Sequence, residues 1–196
     1  MNKLILTSLL PVLMASVSPT FAADPVPPKI VTVDGGDINF TGSIVSAPCS
    51  VENGSDGQSV YLGQVASNQF TSQGDTSSPV KFKIKLTGCN LTPLTGDTSA
   101  TVGYTKATVK FMGDAINATT LKLSGENSGD AIAKNVGIQI SQGNKPVTIN
   151  DYVGTTSHEL TEGANEIPFT AAYVATDAAV TAGVANSTVN FRVTYE

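Results

Sequence analysis

A chain of 196 residues with 11 basic and 16 acidic side chains has a formal charge of −5 and a single arginine, Arg192, which speaks against nucleic acid as a partner. Charged residues make up only 14%, below the usual quarter or so, and threonine, serine, asparagine and glycine fill the difference, as suits β surfaces and tight turns. His158 is the one histidine, so no second histidine exists to build a site and a metal site would need further ligands.

The first residues read as a secretory leader. Met1, Asn2 and Lys3 give a basic start, residues 4–17 are mostly apolar, and Thr20-Phe21-Ala22 forms a small-x-small site, so cleavage is expected after Ala22. Pro11 and the shortness of the apolar run argue against a membrane anchor. What remains is about 174 residues with 10 basic against 16 acidic groups, enough for one domain with a real core. No later apolar run is long enough to cross a bilayer. The expected organisation is a signal peptide over 1–22, an N-terminal arm over 23–45 and a single domain over 46–196.

The arm begins with Pro25, Pro27, Pro28 and the pair Gly35-Gly36, which permit no helix and little packing. Residues 37–45 then alternate. Ile38, Phe40, Gly42 and Ile44 share one side of an extended strand and Asn39, Thr41 and Ser43 the other. Cys49 follows shortly after, and Cys89 is the only other cysteine. In an oxidising compartment the simplest outcome is one disulfide, since a metal site needs more ligands and a thiol nucleophile needs an orienting base. Closing a loop of that length stabilises a fold by about 4 kcal/mol on the chain-entropy argument.

Residues 47–51 end one strand, residues 53–57 are a turn and residues 58–65 alternate as the next strand. A polar loop over 68–78 leads to residues 80–86, where Val80, Phe82, Ile84 and Leu86 face inward and Lys81, Lys83 and Lys85 face water. A helix would scatter those four around its axis, so this stretch is a strand. A loop containing Pro93 and Gly96 precedes a short extended piece, 100–102. Strands are expected at 107–112, 119–123, 135–141 and 146–149, with one helical turn near 130–134. Residues 165–174 form a penultimate strand in which Pro168 marks an edge or a bulge. The last strand, 187–196, places Val189, Phe191, Val193 and Tyr195 on one face and then the chain stops. Short strands punctuated by turn residues indicate an antiparallel sandwich.

Chemistry-bearing constellations are sparse. His158 lies in a loop-like stretch, and Glu159, Glu162 and Glu166 surround the helix- and strand-breaking Gly163, which makes them a solvated face rather than an acid–base pair. There is no Gly-x-Ser-x-Gly elbow and no phosphate loop. No cofactor and no metal are expected. The informative feature is structural, a spare alternating strand at one end and a last strand with no successor at the other. Exposed strand edges aggregate and buried backbone groups need partners, so either another molecule supplies a strand or the arm folds back on its own sheet.

Several stretches together resemble the major pilin subunits of chaperone–usher fimbriae, the type 1 rod subunit in particular. They are residues 36–45 with Cys49 after them, 60–65, 135–140, 167–173 and 191–195, along with Gly183, fourteenth from the end, and the penultimate Tyr195. The resemblance implies an all-β, incomplete immunoglobulin-like sandwich (the pilin fold) that lacks its last strand and is completed by donor-strand exchange. It implies Ile38, Phe40, Gly42 and Ile44 as donor residues, with Gly42 where only a small residue fits and Ile44 where exchange begins. Val189, Phe191, Val193 and Tyr195 would line the acceptor groove, and Gly183 and Tyr195 match the chaperone-recognition pattern. The implied partners are identical subunits in a homopolymer, a periplasmic chaperone, an outer-membrane usher and other fimbrial subunits. The implied setting is an adhesive fimbria on the bacterial surface, and no enzyme is implied. The alternatives are a minor or adaptor fimbrial subunit, and a self-complete secreted lectin-like module.

Overall fold

The computed structural model describes residues 29–40, 42, 44, 46–52, 57–92 and 103–196, and the chain divides into a stretch ending at Ser43 and a body, Ile44–Glu196. The leader, the three prolines of the arm, most of the 53–57 turn, the loop with Pro93 and Gly96, and the 100–102 piece lie outside the described residues.

The body is built of strands: β1 (Ser50–Val51), β2 (Val80–Cys89), β3 (Lys106–Met112), β4 (Ala115–Asn117), β5 (Thr120–Leu121), β6 (Val136–Gln142), β7 (Lys145–Pro146), β8 (His158–Glu159), β9 (Gly163–Ala175) and β10 (Asn190–Tyr195). One sheet runs β1-β2-β9-β6-β5-β4 with β7 on β6, and the other runs β10-β3-β8. Every ladder is antiparallel. Among the described residues the one helical element is a 3₁₀ turn at Ser67–Gln69.

Alternation puts the core where the two sheets face each other. In β2, Ile84 and Leu86 are buried while Lys81, Lys83 and Lys85 are exposed. Ile167 and Phe169 of β9 and Val109 and Phe111 of β3 join them, all nearly inaccessible to solvent. The ring of Phe111 meets that of Phe169 edge-on at 5.2 Å, which stitches the two sheets together. Burying each such side chain stabilises the fold by roughly 1.5–3 kcal/mol. Cys49 and Cys89 form the expected disulfide in this core, joining the residue ahead of β1 to the last residue of β2. Buried Asn165 on β9 donates from Nδ2 to Cys89 Sγ at 3.3 Å and accepts the Thr161 N–H at 2.8 Å.

Some local expectations are corrected. Residues 58–65 pair in no ladder, and Gly63 there has φ +77°, a left-handed turn that interrupts an extended run. The turn expected at 130–134 is instead extended, bridged through Ile132 to Val184 and through Lys134 to Thr181. Pro168 sits in a central strand, not at an edge. It pairs with Lys83, but the ladder to β6 spans only Thr170 to Ala175, so the missing N–H falls where no second neighbour needs it. His158 lies on β8 against Ala107 rather than in a loop.

Candidate functional site

The described residues of the N-terminal arm, 29–40, 42 and 44, join no ladder. Ile38, Phe40 and Ile44 are 79%, 91% and 104% exposed, and nothing comes within 4 Å of a Cβ placed at Gly42. Three large apolar side chains standing in water on one alternating segment are unfavourable for an isolated chain.

The counterpart lies at the other end. β10 pairs with β3 from Asn190↔Met112 to Tyr195↔Ala107 and is the outer strand of its sheet. Its far edge therefore presents unpaired backbone groups. Val189, Phe191, Val193 and Tyr195 all pack against the core but remain half-buried, whereas Val109 and Phe111 on the neighbouring β3 are fully covered. The sequence placed these four on one face, and the structure gathers them along an uncovered strip of core. The Tyr195 hydroxyl also donates to the Cys49 carbonyl oxygen.

Leading into β10, the chain borders a cleft of about 740 Å³ to which Tyr61, Val65 and Phe70 contribute from one segment and Val180 and Ala185 from another. Tyr173 of β9 also lines it, and its hydroxyl donates to the Ala185 carbonyl oxygen at 3.1 Å. Partial burial raises the pKa of Tyr173 and of Tyr195 above the usual tyrosine value. Gly183 lies beside this cleft, away from Tyr195 in sequence. The sequence reading missed the cleft, for Phe70 sits in the stretch expected to be a polar loop, and a lone aromatic residue among polar neighbours was the available signal.

The acidic residues disperse. Glu159 pairs with Lys106 at 3.3 Å, Glu162 accepts the Leu91 N–H at 3.1 Å, and Glu166 pairs with Lys83, whose hydrogen bond lowers the carboxylate pKa. Among the described residues no three histidine, cysteine, aspartate or glutamate side chains converge on a point that could hold a metal.

These features define a β-sandwich subunit whose distinguishing surface is a strand edge rather than a catalytic pocket. A family model described as "Fimbrial protein" matches residues 38–196. A type-1 fimbrial protein A chain of Escherichia coli is 41% identical over 92% of this chain and 92% of its own length, and the S-fimbrial subunit SfaA of an E. coli strain is 39% identical over 85% and 87%. The type 1 fimbrial subunit of Salmonella typhimurium aligns over the full length of both chains at 37% identity. The P pilus rod subunit PapA superposes with a TM-score of 0.62 at 27% identity over 76% of this chain and all of its own. A subunit from a chaperone–usher pilus structure concerned with rod uncoiling gives 0.64 at 28% over 86% and all of its own. The chain belongs to the fimbrial protein family. It is a structural pilus subunit with an immunoglobulin-like fold, exported to the bacterial cell surface, and not an enzyme.

Proposed function

We propose that the chain polymerises by donor-strand exchange, residues 38–44 of one copy filling the uncovered strip beside β10 of the next. The single observation that supports this most is the pairing of two deficits. Val189, just ahead of β10, and Phe191, Val193 and Tyr195 on it are half-buried against the core at an open edge, and the arm holds three exposed apolar residues at strand spacing. Both deficits are relieved by the same event, which adds ladder hydrogen bonds and buries apolar surface. Since every ladder of the body is antiparallel, an antiparallel donor is the consistent choice. Ile38 then lies toward Tyr195, and Ile44 lies toward the cleft that Gly183 and Ala185 border. Before assembly the same edge is the place for a periplasmic chaperone to lend a strand, with the outer-membrane usher as the place of exchange and other fimbrial subunits completing the fibre. The product is a fimbrial rod of identical subunits.

The test is size-exclusion chromatography of the exported chain, with and without a synthetic peptide of residues 30–45. SDS-resistant ladders, or a monomer whose melting temperature rises steeply on peptide binding, are expected. A stable monomer indifferent to the peptide, or polymerisation that survives deletion of residues 23–44, overturns the mechanism.

A further inference from the structure

Residues 181–186, which lead into β10, run beside residues 131–134 as a narrow double strip. Val184 N–H donates to the Ala131 carbonyl at 2.7 Å and Ala133 N–H to the Val184 carbonyl at 3.0 Å. Lys134 and Thr181 exchange backbone bonds, and Thr181 Oγ1 accepts the Lys134 N–H at 3.1 Å as well. Ser124 N–H donates to Asn186 O at 2.8 Å, and the Tyr173 hydroxyl holds Ala185. The strip is therefore fixed on both sides of its middle residue, Gly183.

Gly183 is where the two segments come closest. A Cβ there would overlap the Ala131 carbonyl oxygen and the Ala133 nitrogen and would stand 2.6 Å from the Ile132 carbonyl carbon. All three are backbone atoms, so no flexible side-chain end can swing aside. A side chain at this position must lift the strip off residues 131–133.

The direction of that lift matters. Ala131 and Ile132 border a second cleft, with Ile116 and Leu123, whereas Gly183, Val184 and Ala185 border only the first, ahead of β10, and Ala133, Thr181 and Ala182 stand between the two and line both. Moving away from Ala131 and Ile132 carries Val184 and Ala185 into that first cleft and narrows it. We infer that Gly183 sets the width of the cleft at the head of β10 and thereby selects the size of the donor residue that enters it. It is a positioning residue acting through Val184 and Ala185, a job separate from the chaperone recognition implied by its place in the sequence. The inference rests on the donor-strand reading, in which Ile44 of a second copy is that donor residue.

Each full chain carries both the arm and the cleft, so four exported chains form a double-mutant cycle: wild type, Ile44→Ala, Gly183→Ala and the pair together. The measurement is the growth rate of SDS-resistant ladders after refolding. Each single substitution should slow growth by about 10-fold or more, and the pair should recover to within about 3-fold of wild type, since the smaller donor fits the narrowed cleft. A pair slower than either single chain overturns the inference and leaves donor-strand exchange standing. A wild type that forms no ladder overturns donor-strand exchange itself. Should Gly183→Ala fail to fold by circular dichroism, Thr181→Val decides. It removes the hydroxyl that pins the strip and leaves position 183 bare, so the penalty for Ile44→Ala should fall from about 10-fold to under about 3-fold. An unchanged penalty overturns the inference.

Discussion

The hydroxyl of Tyr195, on the last strand, donates to the carbonyl oxygen of Cys49, 3.4 Å away at the start of the body. The end of the open edge is thus tied to the backbone of the disulfide that anchors β1 to β2. Tyr195→Phe keeps the ring, which meets Tyr104 edge-on at 6.4 Å, and removes only the hydroxyl. The expected loss is about 0.5–1 kcal/mol of stability, read from the urea midpoint at unchanged slope. An unshifted midpoint would show that water replaces the bond at no cost.

Tyr173 and Tyr195 both have pKa values raised by burial above their ordinary 10.0. The folded state therefore holds these protons more tightly than the unfolded state. Their contribution is fully present below about pH 10 and is lost as pH climbs through the raised values. Thermal melts should show stability falling on the alkaline side, and Tyr173→Phe/Tyr195→Phe should fall less steeply. The two proteins share every other side chain, so the difference between the two curves isolates the phenols. Identical slopes would mean that neither hydroxyl is desolvated.

Cys49 and Cys89 are 40 residues apart, and both are buried. Replacing both with alanine should lower stability by about 4 kcal/mol if the loss comes from the unfolded chain's regained freedom. Wild type in reductant should fall by a similar amount, measured by denaturant titration. A loss confined to the reduced wild type, absent from the double alanine chain, would point to thiol burial instead.

Phe111 touches both sheets, against Phe169 at 5.2 Å and against Phe191 of β10 at 6.5 Å. Phe111→Ala is expected to cost about 3–5 kcal/mol. It should also weaken binding of the 30–45 peptide, because Phe191 loses the ring behind it. Peptide affinity that stays the same in the folded fraction would separate the core from the edge.

Much of this architecture was legible because side-chain alternation is a local signal. The Val80, Phe82, Ile84 and Leu86 series predicted β2, and the Val189 to Tyr195 series predicted that β10 has one inward face. The cleft was not legible, since Phe70 is far in sequence from Tyr173 and Val180 and is brought to them only by topology. Residues 58–65 show the converse. Burial alternates from Val60 to Leu62, with Val60 and Leu62 half-covered and Tyr61 exposed, and slips by one residue at Gly63 so that Val65 is half-covered and Gln64 exposed, yet these residues pair with no strand. Pattern reports which face is wet, and a ladder needs a neighbour as well.

Gly42 supplies the sharpest test of what the arm is for. Nothing lies within 4 Å of a Cβ at this position in the single chain. Among the described residues no packing contact requires glycine there, and a side chain would even reduce the freedom of the unfolded arm. If the residue is glycine because it must seat against a neighbour's groove, a larger side chain should harm only the intermolecular event. Gly42→Val is thus expected to leave the melting temperature of the unassembled chain within about 2 °C of wild type, as surface changes usually do. The same chain should form SDS-resistant ladders at least about 10-fold more slowly, since overpacking a tight site is costly. Mixed with wild type it should cap growing fibres, because its own groove is intact while its arm is not. Equal assembly rates for the two chains would show that residue 42 never enters a neighbouring groove.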